Sequence, residues 1–175
     1  MTGRVPERRG AARELRDAFD RSFASPAAPN TDDRENFLMI RVSGDPYAVR
    51  LRDIAGVVAN QSIASVPTAR SDVLGLTGLR GAIVPVFSLA VLLGHGPDPD
   101  PPRWMVLSGA DDTMAFAFSH FESYVRLTAA ARDTDADDRD DRLGDVVRTD
   151  AGARTVINMP LIVAAARGAQ INSGD

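Results

Sequence analysis

The sequence predicts a mainly β, barrel-type domain with short helices and a helical N-terminal arm. Three observations point there. Short runs of Val, Ile, Leu and aromatic residues recur at residues 37–42, 47–51, 82–86, 103–108, 113–118 and 121–127. Turn-forming residues separate them, among them Ser43-Gly44-Asp45-Pro46 and the Gly- and Pro-rich stretch 94–102. Helical periodicity is confined to residues 11–24, a few residues after Ser88, and residues 159–167.

Taken in order, residues 1–36 form an extension. Residues 1–10 carry Arg, Gly and Pro and are expected to be disordered. Residues 11–24 read as a helix, with Leu15, Ala18, Phe19 and Phe23 on one face. Arg13–Asp17, Arg16–Asp20 and Asp17–Arg21 are i, i+4 pairs worth about 0.2–0.5 kcal/mol each. So short a helix needs a surface for its two Phe rings, either its own domain or a partner. Residues 25–36 read as a linker, and the domain is expected over 37–167 with a frayed tail at 168–175.

Within the domain, 37–42 and 47–51 read as a hairpin, with Tyr47, Val49 and Leu51 on one face. A third strand is expected at 53–58, and extended chain at 63–66. Gly75, Gly78 and Gly81 are three apart and read as a turn that presents Arg80. Residues 82–86 suit a strand buried on both faces, although Pro85 requires a sheet edge, a bulge or a strand end. Ser88 caps a helix bearing Leu89, Leu92 and Leu93, which Gly94 stops. After the proline-rich loop come strands at 103–108, 113–118 and 121–127, the first two turned at 109–112. A last hairpin over 143–148 and 154–159, turned at 150–152, leads into a closing helix. No long internal repeat is visible.

Composition excludes much chemistry. All twenty basic residues are Arg, which removes Schiff-base and Walker-type lysine chemistry. There is no Cys, so disulfides and thiolate sites are impossible. The net charge of −4 and pI of 5.2 argue against nucleic-acid or anionic membrane binding. No run is long enough to insert into a bilayer and no signal-peptide core is present, so a soluble cytoplasmic location is expected. His95 and His120 lack metal or base partners at motif spacing, and no Gly-x-Ser-x-Gly elbow surrounds any serine. The three glycines do not make a Gly-x-Gly-x-x-Gly fingerprint. Asp133, Asp135 and Asp137 open like a calcium loop, but Asp138 and Gly144 stand where Gly and Glu are required. The acidic run 132–142 therefore reads as a solvated loop. No catalytic, metal or cofactor residue is assigned. Arg80 has two readings: an interface anchor, or a buried structural ion pair.

Residues 75–94 resemble the chemotaxis coupling protein (CheW-like) family. Gly75, Leu79, Arg80, Gly81, Pro85, Val86, Leu89, Leu93 and Gly94 match its central signature. The likeness extends over about 37–166, with a short helix at 71–74. Gly56, Gly78, Ser88 and Ser119 stand where the family usually has Glu, Asn, Asp and Asp, which marks a divergent member. The resemblance implies two packed five-stranded SH3-like barrels. It implies a non-enzymatic adaptor that joins the cytoplasmic tip of a chemoreceptor, in the groove between the barrels, to the regulatory domain of a CheA-type histidine kinase. Such an adaptor is recruited to receptor arrays. Residue by residue, Ile54, Gly75, Leu79, Arg80, Gly81 and Val84 are expected to contact a partner or shape its surface, with Gly75 and Gly81 holding the turn. The alternative function is a barrel that binds a small molecule or another signalling enzyme.

Overall fold

The computed structural model describes residues 34–109, 113–128, 132–133 and 141–168. The expected N-terminal helix with Phe19 and Phe23, most of the acidic run, and the tail from residue 169 lie outside them. The described strands are β1 (Arg34–Val42), β2 (Asp45–Arg50), β3 (Gly56–Ala59), β4 (Val73–Leu79), β5 (Ala82–Ser88) and β6 (Trp104–Leu107). They continue with β7 (Ala115–Phe118), β8 (His120–Thr128), β9 (Arg132–Asp133), β10 (Leu143–Thr149) and β11 (Gly152–Ile157). Helices are short: a 3-10 turn (Leu51–Asp53), α1 (Leu89–Leu92) and α2 (Met159–Gly168).

Two sheets result. Sheet 1 has the order β8-β1-β2-β11-β10-β9, and sheet 2 the order β3-β6-β7-β5-β4. The mainly β expectation with two five-stranded sheets holds, and the two-residue β9 adds a sixth strand to sheet 1. The sheets share one layout. In each, a hairpin (β1–β2 or β6–β7) pairs its second strand in parallel with the second strand of another hairpin (β10–β11 or β4–β5). An outer strand, β8 or β3, runs antiparallel to the first. The hairpin that ends in β5 or β11 then enters a capped helix. Ser88 Oγ accepts from Val91 N–H, and Asn158 Oδ1 accepts from Leu161 N–H, both at 3.4 Å.

Period-two alternation sorts the side chains into three cores. On β1, Leu38, Ile40 and Val42 join a core shared by both sheets, whereas Phe37 and Met39 point into sheet 1's own interior. On β7, Phe116 and Phe118 enter the shared core, and Ala115 and Ala117 line sheet 2's interior with Val84, Val86, Met105 and Leu107. Strands buried on both faces read as near-continuous apolar runs, which is why these were legible. Leu89, Ala90 and Leu92 of α1 and Ile162 and Ala166 of α2 complete the shared core. Arg70 clamps this end: it pairs with Asp72, donates to Ala166 O at 3.2 Å, and lies over the Phe87 ring.

Several expectations need correction. Residues 34–36 of the expected linker belong to β1, because Arg34, Glu35 and Asn36 pair with Thr128, Leu127 and Arg126. The third strand starts at Gly56, since the chain first makes the 3-10 turn. The expected helix at 71–74 is a turn followed by the start of β4, whose β-branched Val73 pairs with Phe87. Residues 75–79 are strand, so the turn shrinks to Arg80-Gly81. Residues 82–86 are not buried throughout, because Ala82 and Ile83 project past the core. Pro85 lies in an interior strand of sheet 2, yet the ladder to β7 begins only at Val86. At Pro85 the strand has one neighbour, Leu76, so β5 is locally an edge there.

Candidate functional site

The β4–β5 hairpin is anchored at its root and open at its tip. Gly75, at φ +145°, sits at an irregularity in the β4–β5 register, where a Cβ would fall 2.2 Å from the Ala64 carbonyl oxygen. Only glycine lets the two chain segments approach so closely. Ala64 and Leu76 exchange backbone hydrogen bonds of 2.8 and 2.9 Å, and Thr77 Oγ1 donates to Ser62 O at 2.9 Å. Gly75 therefore fixes the hairpin's root rather than its turn.

At the tip, Leu79 pairs with Ala82 across Arg80 and Gly81, at φ +50° and +84°. Positive φ at both central residues is the signature of a type I′ turn, which matches the natural twist of a hairpin. Gly81 meets that demand freely, and Arg80 meets it under strain. Arg80 is exposed and makes no ion pair among the described residues. The reading of Arg80 as a buried structural ion pair is overturned.

Beside it, Ile83 is 78 % exposed. Its cross-strand neighbour is Gly78, which has no side chain to cover it. Sequence reasoning missed Ile83 by treating 82–86 as uniformly buried. The signal was present in the alternation of Ile83 and Pro85 with Val84 and Val86. The other expected residues divide: Leu79 is half-buried against sheet 2's interior, while Val84, 3 % exposed, lies inside it. Ile54 packs against the shared core instead. The structure thus gathers Leu79, Arg80 and Gly81 at one tip, leaves Val84 and Gly75 to shape it, and places Ile54 elsewhere.

A second exposed surface lies where the sheets meet. Trp104 opens β6 of sheet 2, and its ring centroid is 5.1 Å from that of Phe121 on β8 of sheet 1. Phe121 is 36 % and Tyr124 53 % exposed. Two exposed aromatics on β8 beside the half-buried Trp104 have the composition of a protein interface.

Among the described residues the polar clusters do not assemble a catalytic relay. Ser119 Oγ lies 2.9 Å from His120 Nδ1 and donates to Asp98 Oδ2 at 2.9 Å. Asp100 Oδ2 faces the same Nδ1 at 3.7 Å. A nucleophile–base–carboxylate relay needs the serine and the carboxylate on opposite ring nitrogens, and here Ser119 is buried. His95 Nε2 and Tyr47 Oη are 2.7 Å apart, which ties the loop after α1 to β2. Burial, and then the Asp45 carboxylate, raise the Tyr47 phenol above its ordinary pKa. Among the described residues no group of three or more His, Asp or Glu could hold a metal ion.

Comparison with known proteins agrees with this architecture. The family model for the CheW-like domain matches residues 36–163. The "Chemotaxis protein CheW" of Helicobacter pylori is 25 % identical over 137 residues, spanning 75 % of this chain and 81 % of the relative. The crystal structure of scaffolding protein TtCheW from Thermoanaerobacter tengcongensis superposes with a TM-score of 0.62 at 17 % identity, over 71 % of this chain and 88 % of that one. Sheet layout, turn and family match all converge, and the chain belongs to the CheW-like domain family.

Proposed function

We propose that this protein is a non-enzymatic adaptor that couples chemoreceptors to a CheA-type histidine kinase in a bacterial chemosensory array. The family match across most of the chain carries the reading. The open β4–β5 tip supports it, because an exposed guanidinium beside an uncovered Ile is a mixed polar and apolar anchor suited to a protein partner. In this reading Leu79, Arg80 and Gly81, joined by Ile83, contact the regulatory domain of the kinase. Gly75 and Val84 hold that surface in shape, while Ile54 packs on the shared core apart from it. The receptor tip lies along the junction of the two sheets, near Trp104 and Phe121. The adaptor domain occupies residues 37–167 with β1 extended to Arg34, between an N-terminal extension and a C-terminal tail.

Coupling requires that the adaptor bind the two signalling states of its partners unequally. No described helix is long and apolar enough to cross a membrane. Recruitment to an array would therefore run through protein contacts. The test is pull-down and calorimetry with the kinase regulatory domain and a receptor cytoplasmic fragment, using wild type, Arg80→Ala and Ile83→Ser, each checked by circular dichroism. Both variants should stay folded and bind the kinase domain more weakly. Unchanged binding by both removes the tip from the interface. Binding of neither partner by wild type refutes the adaptor reading.

A further inference from the structure

Sheet 1 opens on a cavity of about 900 Å³ that the adaptor role does not use. Its walls come from β1, β8 and the β10–β11 hairpin. The floor is apolar: Met39, Val125 and Leu127 belong to, or pack on, sheet 1's interior core. The rim is cationic. Arg41, Arg126, Arg148 and Arg154 line it, against the carboxylates of Glu122 and Asp150.

The central ion pair is itself unbalanced. Glu122 accepts from Arg41 Nε at 2.5 Å through one oxygen and from Arg154 Nη2 at 2.7 Å through the other. One carboxylate is therefore shared by two guanidiniums. Arg154 is only 6 % exposed, and its Nε is buried with no hydrogen-bond partner. A buried cation that shares its counter-charge is the kind of group that an additional anion nearby compensates. Guanidinium forks suit carboxylate and phosphate oxygens. The volume falls in the range of small-molecule sites, and the lining is more polar than is usual for them, which suits a charged ligand.

We propose that this cavity binds a small organic anion, a phosphate or carboxylate carried on an apolar body, with the charged end among Arg126, Arg148 and Arg154 and the apolar body on Val125 and Leu127. The site lies on the other sheet from the β4–β5 tip and does not depend on the adaptor role. Its test contains no partner protein, so its failure would leave that role standing.

The probes are anilinonaphthalene sulfonate, an anion on an apolar ring system, and pyrophosphate. Wild-type full chain should bind the sulfonate saturably with a fluorescence rise, and pyrophosphate should displace it. Arg126→Glu and Arg148→Glu should each weaken sulfonate and pyrophosphate binding about tenfold or more, with circular dichroism unchanged. Ile83→Ser, on the other sheet, should leave binding intact. Arg154 is not substituted alone, because its buried side chain ties β11 to Glu122 on β8 and its loss could unfold the sheet. A poly-glutamate peptide is titrated alongside. The proposal fails if neither small probe binds saturably, if only the peptide binds, if both charge reversals leave affinity unchanged, or if Ile83→Ser abolishes binding.

Discussion

Replacing Arg80 with Asn separates what this residue costs the fold from what it gives a partner. At φ +50° the backbone is in the left-handed region, where a residue bearing a Cβ is disfavoured by about 1–2 kcal/mol. Asn tolerates that region, and Asn-Gly is the favoured pair for a type I′ turn. Arg80 is exposed and has no ion pair among the described residues, so no folded-state contact offsets the gain. Arg80→Asn should therefore stabilise the domain by about 1 kcal/mol, a rise in Tm of about 2–4 °C for a domain of this size. If the guanidinium anchors the kinase domain, the same variant should bind it about tenfold more weakly or worse. Ser43-Gly44, at φ +51° and +90°, makes the same kind of turn between β1 and β2. Ser43→Asn is therefore the control: more stable, with binding unchanged. Urea and thermal unfolding give the stabilities, and calorimetry gives the affinities. An Arg80→Asn protein that is less stable refutes the strain argument. One that is more stable yet binds as wild type refutes the claim that strain is retained for a partner.

Gly75→Ala should destabilise by at least about 2 kcal/mol, because its Cβ meets the Ala64 carbonyl and its φ disfavours any side chain. A urea midpoint matching wild type would show that residues 62–64 do not strap β4. Ile83→Ser and Val84→Ala, one residue apart, should behave oppositely. The exposed Ile83 should change stability by no more than about 0.5 kcal/mol but weaken partner binding, while the buried Val84 should cost about 2 kcal/mol. Equal stability losses would contradict the alternation of β5. Tyr47 sets an alkaline limit. Its folded pKa lies above the ordinary value of 10.0, so the native state holds the phenol proton more tightly than the unfolded chain does. That contribution is whole below about pH 10 and is lost as pH rises through the raised value. Tyr47→Phe should flatten the fall in unfolding free energy above that pH, and equal slopes in urea titrations would rule the effect out.

The sequence made the strands legible and the exposures much less so. Residues 37–40, 105–107 and Ala115–Phe118 are buried on both faces, so short continuous apolar runs marked them. Gly75 was legible as a position that requires glycine, but not for which reason: its constraint comes from Ala64, eleven residues earlier in the chain. Local turn chemistry cannot reveal such a contact, and three glycines at equal spacing therefore read as one turn. Ser119 shows the same limit. It stands where the family usually carries Asp, and sequence alone reads this as a loss. In the fold, Asp98 comes from the proline-rich loop and puts a carboxylate 2.9 Å from the Ser119 hydroxyl. A carboxylate therefore stands beside Ser119, supplied by a residue twenty-one positions away. The arginine-rimmed cavity was invisible for a related reason, because its charges come from β1, β8, β10 and β11 and meet only when sheet 1 forms.

The shared layout of the two sheets explains why no repeat was seen and what the duplication allows. Equivalent strands need the same alternation and the same turns, not the same residues. Sheet 2 fills its interior with Ala115, Ala117, Val84 and Val86, and sheet 1 uses Phe37, Met39, Val147 and Val156. The outward faces of both converge on one shared core, so each interior could drift in volume provided that core stayed packed. The equivalent hairpins β4–β5 and β10–β11 could then diverge at their tips. One ends in Arg80-Gly81 beside a bare Ile83 and stands open. The other ends in Asp150-Ala151 between Arg148 and Arg154 and walls a cavity. The same strand order thus carries two differently shaped hairpin ends on one shared core, an open tip and a cavity wall.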